Sequence, residues 1–121
     1  MTFQMLGAID IPMQYGKGHL DFCKIGEYKV MFVHFEAKEG RYSKQAKDEI
    51  LEKLLYSLVL ADKLGAGEVF SVVPKNKPLV RKFQETFGFE VETDHDEDHY
   101  LTRSTWYASS DIRSGLSSLN S

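Results

Sequence analysis

The apolar residues of the chain fall into short clusters whose spacing predicts strands in some places and helices in others. The densest cluster is VMFVHF at positions 30–35, which is rich in β-branched and aromatic residues. It predicts a strand over Tyr28–Ala37 that is buried on both faces. Because side chains alternate along a strand, His34 and Glu36 are expected on the same face. The face of the strand that carries Val30 and Phe32 is therefore apolar until it ends in these two polar side chains.

The next cluster has the spacing of a helix. After a loop over residues 38–42, Ser43 is expected to cap a long helix that continues to about Leu64. Its apolar residues recur at intervals of three and four, as in a stripe that faces the core: Ile50, Leu51, Leu54, Leu55, Leu58, Val59 and Ala61. Gly65 and Gly67 are expected to end the helix.

The second half of the chain repeats this order with shorter elements. Glu68–Val73 predicts a short strand that Pro74 ends, and Asn76 is expected to cap a helix over Lys77–Phe87. The apolar positions predict the buried face of this helix: Leu79, Val80, Phe83 and Phe87. Gly88 is expected to close it.

The two ends of the chain are less regular. Residues 2–26 are rich in glycine and predict one or two short strands, of which His19–Ile25 is the better defined. At the other end, Phe89–Glu92 and His99–Trp106 predict a hairpin around the acidic turn Thr93–Asp98. The serine-rich residues 108–121 predict a tail that is mobile in isolation or ordered against a partner.

This order of elements indicates an α/β or α+β fold in which helices pack on a mixed sheet. A single domain is expected over residues 1–107, because 121 residues are too few for two ordinary domains. The composition, 42% hydrophobic and 27% charged, is that of a globular protein.

The charge balance excludes some classes of partner. The 15 basic and 18 acidic side chains give a net charge of -3, without the clustered Lys and Arg that nucleic-acid binding needs. No apolar run is long enough to span a bilayer, so no membrane partner is expected. The single cysteine, Cys23, cannot form an internal disulfide, which favours a reducing compartment such as the cytoplasm.

The sequence offers few metal ligands or nucleophiles. The cluster DHDEDH at positions 94–99 has the residue types of a metal site, but it is expected in a turn and has no distant His or Cys set to complete it. A solvated hairpin loop is the prediction, and no metal site is expected. Cys23 is expected to be a small buried apolar residue, because no neighbouring His or Cys motif supports a nucleophile.

The segment PKNKPLVRKFQETFGF at positions 74–89 resembles the C-terminal motif of the GNAT superfamily of acyl-CoA N-acyltransferases. That motif has an Asn at a strand exit, an aromatic residue seven positions on, and a closing Gly-Phe pair. These offsets match Asn76, Phe83, Gly88 and Phe89. The order of elements over Tyr28–Trp106 is also similar to that of the family, although only about 27 residues precede it. The resemblance implies a GNAT-like fold with a shortened N-terminal part.

The resemblance implies acetyl-CoA as the cofactor. In the family, the loop that enters the long helix reads Arg or Gln, two residues, Gly, one residue, then Gly or Ala. Its N–H groups and the helix N-terminus hold the pyrophosphate. Here the loop is RYSKQA at positions 41–46, in which Lys44 replaces the glycine and can obstruct the phosphate or pair with it. The implied cofactor-binding residues are Phe35, Arg41, Ser43, Lys44, Gln45, Ala46, Asn76 and Phe83.

The same resemblance assigns candidate chemistry to the strand at Tyr28–Ala37. Glu36 is the candidate general base that removes a proton from an amine, and His34 is the second candidate. The general-acid Tyr that many members carry on the second helix falls at Phe83, which has no proton to give. An interpretation without chemistry stays open, in which Glu36 and His34 are polar residues that simply reach solvent.

Two functions are therefore predicted. The first is a divergent acetyl-CoA-dependent N-acetyltransferase that acts on a primary amine. The second is a non-catalytic GNAT-fold phage protein with a structural or head-assembly role in the virion, which works through protein partners or as a homo-oligomer. The shortened N-terminal part, Lys44 in the loop and Phe83 on the helix resemble that second group.

Overall fold

A computed structural model describes residues 3–108 of the chain. The chain divides into two compact units, Met1–Gly67 and Glu68–Ser121. The described residues form strands and helices in both units, which confirms the α/β (α+β) fold class. The single domain over residues 1–107 stays a prediction, and residues 109–121 of the predicted tail lie outside the described part.

The first unit is an antiparallel sheet with one long helix. Its elements are β1 (Phe3–Pro12), β2 (Gly16–Ile25), β3 (Tyr28–Ala37) and α1 (Lys44–Lys63). β1 pairs with β2 and β2 pairs with β3, both antiparallel. The bounds of β3 agree with the prediction, whereas β1 and β2 are ten residues each instead of one or two short strands. The connection from β3 to α1 contains a single turn of 3-10 helix, Lys38–Gly40.

α1 begins as the sequence predicts. The Ser43 hydroxyl oxygen accepts a hydrogen bond from the backbone N–H of Ala46 at 3.2 Å, which satisfies one of the free donors at the helix N-terminus. Gly65 follows the helix with a φ of 79°. The helix packs against β3 and β2 and buries much of the predicted stripe: Ile50, Leu54, Leu58 and Ala61. Leu55 is an exception, because 44% of it is exposed.

The length of α1 does not make it a membrane span. Eight of its twenty residues are charged. Among the helices of residues 3–108, none combines the length and the apolar character that crossing a bilayer requires.

The second unit contains three strands that pair antiparallel, together with shorter helices. Its elements are β4 (Glu68–Pro74), α2 (Pro78–Thr86), β5 (Phe89–Asp94), β6 (His99–Ser104) and α3 (Thr105–Ala108). β6 pairs with β4 on one side and with β5 on the other, both antiparallel. α3 is a difference from the sequence prediction, which extended the last strand to Trp106. Tyr107, within α3, is completely buried.

The structure corrects two predictions about α2. The residue at the cap position is Lys77, which makes no side-chain cap hydrogen bond, so Asn76 does not cap the helix. Pro78 occupies the first turn as expected, where its missing N–H costs nothing. Leu79 was expected in the buried face but is 81% exposed, and no residue within α2 is fully buried. The aromatic contact is instead at the C-terminal end, where the Phe83 and Phe87 rings meet edge to face at 4.7 Å.

A buried polar network joins α2 to the sheet of the second unit. The Gln84 amide nitrogen donates to the Ser71 hydroxyl at 3.1 Å, and the Gln84 amide oxygen accepts from the Thr102 hydroxyl at 2.9 Å. Ser71 and Thr102 are both buried. Because an unpaired buried polar group is costly, this network fixes the position of α2 on β4 and β6.

Candidate functional site

His34 and Glu36 lie on one face of β3, as the alternation predicts. The His34 Nε2 and Glu36 Oε2 atoms are 4.0 Å apart, and the two side chains are 59% and 48% exposed. The Lys17 ammonium of β2 lies 3.4 Å from the same Glu36 oxygen. Glu36 is therefore a carboxylate with two basic neighbours and open access to solvent.

Strand pairing brings further polar residues to this face. His19 stands opposite His34, Lys17 stands opposite Glu36, and Asp10 of β1 stands opposite His19. These five side chains line an open groove of about 860 Å³ in the first unit. Sequence reasoning missed the contributions of β1 and β2. The signal that could have found them is the hairpin loop at positions 13–15. A hairpin with its turn at these positions places residue 10 of β1 opposite residue 19 of β2.

His19 is held between two carboxylates. Its Nδ1 atom lies 2.7 Å from an Asp10 oxygen, and its Nε2 atom lies 2.8 Å from an Asp21 oxygen. Only the protonated imidazole can donate to both acceptors at once. The hydrogen bonds to Asp10 first and to Asp21 second therefore raise the pKa of His19 above its ordinary value of 6.5. The ring carries a positive charge on the groove wall under mildly acidic conditions.

The raised pKa of His19 makes a prediction for stability. The folded chain binds this proton more tightly than the unfolded chain, so the stabilisation is complete below about pH 6.5 and is lost as the pH rises through the raised value. We expect His19→Gln to lower the urea midpoint of unfolding more at about pH 6 than at about pH 9. Urea titrations of both proteins at both pH values measure this difference.

His95 provides the matched control for that experiment. It lies exposed in the turn between β5 and β6, so His95→Gln removes an imidazole without removing the Asp10–His19–Asp21 contacts. Its effect on the urea midpoint should be small and nearly the same at both pH values. If the urea midpoints of the two variants depended equally on pH, the result would contradict the stabilisation of protonated His19 by Asp10 and Asp21.

The predicted pyrophosphate loop lies at the N-terminus of α1, just after β3. Arg41 and Lys44 are strongly exposed, and the first turn of α1 contains no acidic residue. Exposed cations beside helix N–H groups fit a phosphate by charge and by donor type. Lys44 also contacts Asp48 at 3.0 Å, and Arg41 lies 3.7 Å from Glu39. Both cations therefore have carboxylate neighbours with which a phosphate would compete.

The other predicted cofactor residues have varied environments. Gln45 is exposed, and Ala46 is buried as the small residue of the loop. Phe35 is half-buried and lies on the face of β3 opposite to Glu36. In the second unit, Asn76 is exposed and Phe83 is half-buried beside Phe87. The predicted base residues and the predicted loop both belong to the first unit, whereas Asn76 and Phe83 belong to the second.

The acidic cluster at positions 94–99 spans the turn of the β5–β6 hairpin. His99 Nδ1 lies 2.9 Å from an Asp96 oxygen, and this hydrogen bond lowers the pKa of Asp96. Within residues 3–108, no group of three or more His, Cys, Asp or Glu side chains is arranged to hold a metal ion. Cys23 is buried, and burial raises the pKa of its thiol.

The comparisons with known proteins define the fold only. No family model matches the chain, and no curated protein matches its sequence. Among solved structures, the chain is similar to one titled "The crystal structure of a domain from Methanocaldococcus jannaschii DSM 2661". The TM-score is 0.50 at 10% sequence identity, over 75% of this chain and 67% of that one. At this identity, the likeness supports the α+β fold and says nothing about function.

Proposed function

We propose that the protein is an acyl-CoA-dependent N-acyltransferase of the GNAT type, which transfers an acetyl group from acetyl-CoA to a primary amine. One observation carries the proposal. The exposed Glu36–His34 pair on β3 lies only a short connection before the cationic N-terminus of α1. A candidate base and a candidate phosphate site are thus consecutive along the chain, in the order that the resemblance implies.

Each of these residues has a defined task in the proposed reaction. Acetyl-CoA supplies a thioester carbonyl that an amine can attack. Arg41, Lys44 and the first N–H groups of α1 bind the pyrophosphate. Glu36 removes the proton from the attacking amine, and the neighbouring Lys17 and His34 hold its carboxylate in the groove. Phe83 has no proton to give, so the departing thiolate takes its proton from water.

Titration calorimetry of the full chain with acetyl-CoA tests the proposal. CoA and desulfo-CoA serve as comparison ligands, because they keep the pyrophosphate and lack the thioester. We expect micromolar binding that Lys44→Glu weakens about tenfold or more, since the substitution places a negative charge where the phosphate binds. A carboxylate at a helix N-terminus is favourable for the helix itself, so this variant should fold normally.

Lys63→Glu is the matched control, because it makes the same change of charge in the last turn of α1. Its affinity for acetyl-CoA should stay within about twofold of the unsubstituted chain. Tight binding that neither substitution weakens would contradict the pyrophosphate site at the α1 N-terminus. When binding is established, a panel of primary amines identifies the acceptor.

The second candidate function is a non-catalytic GNAT-fold protein with a structural or head-assembly role. The contact between Lys44 and Asp48 favours it, because the residue that replaces the family glycine already has an anionic partner. The absence of an acidic hydrogen on Phe83 favours it as well. In the same titration, no heat at millimolar acetyl-CoA from folded protein would support this second function and contradict the first.

A further inference from the structure

An exposed ion pair lies in the groove of the first unit, at the candidate base itself. The Lys17 ammonium lies 3.4 Å from a Glu36 carboxylate oxygen, and the two side chains are 79% and 48% exposed. An exposed ion pair of this kind contributes little to stability, because water screens both charges. The open access to solvent instead lets both charges exchange partners with a ligand.

The strand register places Lys17 directly beside Glu36. The two residues are partners in the pairing of β2 with β3, so their side chains lie on the same face of the sheet. Gly16 approaches β3 so closely that an added Cβ atom would collide with the Glu36 carbonyl oxygen. An added Cβ atom on Gly18 would collide with the Phe35 ring. The backbone on both sides of Lys17 therefore has little freedom to move.

Two grooves of the first unit meet at the Lys17–Glu36 pair. Both residues line the groove of about 860 Å³ described above. They also line a second groove of about 480 Å³, which continues past Lys38 and Gly40 along the connection that leads to α1. A transfer between two substrates requires both of them to approach the same catalytic groups. The position of the pair meets this requirement, because a ligand can reach it from either groove.

Proton transfer would change the electrostatic balance of this ion pair. In the acyltransferase reaction proposed above, the amine nitrogen bonds to the carbonyl carbon, the C–S bond of the thioester breaks, and the proton of the amine moves to a Glu36 oxygen. Glu36 is then neutral, so the Lys17 ammonium loses the negative charge beside it. A carboxylate on the acceptor, next to its amino group, replaces that charge when it is lost and so stabilises the transition state.

We propose that the acceptor is an amine with an adjacent carboxylate, as in a free α-amino acid, and that Lys17 selects it; this inference rests on the proposed acyltransferase function. The amino group of the acceptor contacts Glu36, and its carboxylate contacts Lys17. One carbon atom separates these two groups in an α-amino acid, which suits two opposite charges that lie 3.4 Å apart.

The acidic residues on the same face of the sheet permit this binding mode. Asp10 and Asp21 are both hydrogen-bonded to His19, at 2.7 and 2.8 Å. The protonated His19 ring between them reduces their repulsion of an acceptor carboxylate. Lys17 follows His19 two residues away on the same face of β2, so the carboxylate meets a cation at the mouth of the groove.

The preference of the full chain for a carboxylate tests the role of Lys17. With acetyl-CoA as the donor, free alanine, leucine and phenylalanine are each compared with their amides, which have nearly the same shape and no negative charge. We expect Lys17→Gln to lower the ratio of kcat/KM for the amino acid to kcat/KM for its amide about fivefold, the effect of one exposed ion pair. Lys17→Glu should lower this ratio further. Lys17→Arg keeps the charge and should keep the ratio within about twofold.

Lys24→Gln is the matched control. Lys24 also lies on β2 and in an ion pair, 3.6 Å from Glu27, but it is on the opposite face of the strand. Its substitution should leave the ratio unchanged. A change in the basicity of Glu36 alters the rates with both acceptors in the same direction, so the ratio isolates the contact with the acceptor carboxylate. A ratio that Lys17→Gln does not lower, or that Lys24→Gln lowers equally, overturns the proposal.

Direct binding separates this proposal from the acyltransferase function. NMR titration of the full chain with phenylalanine and with phenylalaninamide, both without acetyl-CoA, measures their dissociation constants. Tighter binding of the amino acid that Lys17→Gln removes would support the carboxylate contact, whether or not an acetyl group is transferred. Acetyl transfer with the same ratio in all variants would keep the acyltransferase and overturn the role of Lys17. If neither compound shifts the signals of the groove residues at about 10 mM, the acceptor site is overturned.

Discussion

Replacement of Gly88 by alanine is expected to lower the free energy of unfolding by about 3 kcal/mol. Gly88 follows the end of α2 with a φ of 85°, a left-handed conformation that costs about 1–2 kcal/mol for a residue with a Cβ atom. The added Cβ would also overlap the indole ring of Trp106. Such overpacking costs about 1–3 kcal/mol, because the surroundings must shift.

The surroundings of Gly88 leave little room for that shift. Its carbonyl oxygen accepts hydrogen bonds from both the backbone N–H and the hydroxyl of Thr105, each at 2.7 Å. Thr105 begins α3, which also contains Trp106, and the Trp106 ring packs edge to face on Phe87 at 6.4 Å. A displacement of Gly88 therefore disturbs the contact between the end of α2 and the start of α3.

Gly65 separates the backbone effect from the steric effect. Its φ of 79° is nearly the same, but an added Cβ would meet no heavy atom within 4 Å. Gly65→Ala is thus expected to cost only about 1 kcal/mol. Urea unfolding of the two variants measures both values. Equal losses at Gly65 and Gly88 would show that the Trp106 contact contributes nothing.

The sequence predicts the elements whose pattern comes from burial on one side. β3 and α1 have the predicted bounds, because dense β-branched residues and a repeat of three and four residues both result from packing against a core. The prediction is wrong at Leu79, which has an apolar side chain at a helical position. Its place in the first turn of α2 leaves it 81% exposed, so hydrophobicity alone does not determine burial there.

The N-terminal strands could not be predicted in full for two physical reasons. β1 is exposed on both faces, so its apolar residues do not alternate with polar ones as in a half-buried strand. The register shift between Met5 and Gly7 also moves the later side chains to the opposite face. A search for strict alternation therefore finds only the part of this hairpin at His19–Ile25.

In the candidate site, too, the sequence predicts only the residues that lie close together along the chain. His34 and Glu36 are predicted because they are two residues apart on one strand. Asp10 and His19 meet only through the pairing of β1 with β2, which spacing along the chain does not reveal. The sequence therefore predicts only some of the residues that line the groove. Its local residues follow from alternation, and the residues from other strands require the register of the sheet.

The largest expected effect on activity is that of Glu36→Gln, which rests on the proposed acyltransferase function. We expect kcat/KM with the amine acceptor to fall by about a hundredfold or more, because an amide cannot accept the proton of the attacking amine. The substitution preserves the shape of the side chain, and its carbonyl oxygen can still accept from Lys17. Binding of acetyl-CoA should therefore be unchanged in calorimetry, so that the loss appears in the chemical step.

Glu27→Gln is the control for this loss, because it removes the same charge from a carboxylate that is 97% exposed in the turn between β2 and β3. Its kcat/KM should stay within about twofold of that of the unsubstituted chain. His34→Gln should lower kcat/KM less than Glu36→Gln, because His34 lies beside the proposed base without replacing it. A larger loss of kcat/KM in His34→Gln than in Glu36→Gln would indicate that the His34 imidazole is the base. Full turnover in both variants would mean that the amine loses its proton elsewhere, and the groove between β1 and β3 would then have no part in the chemistry.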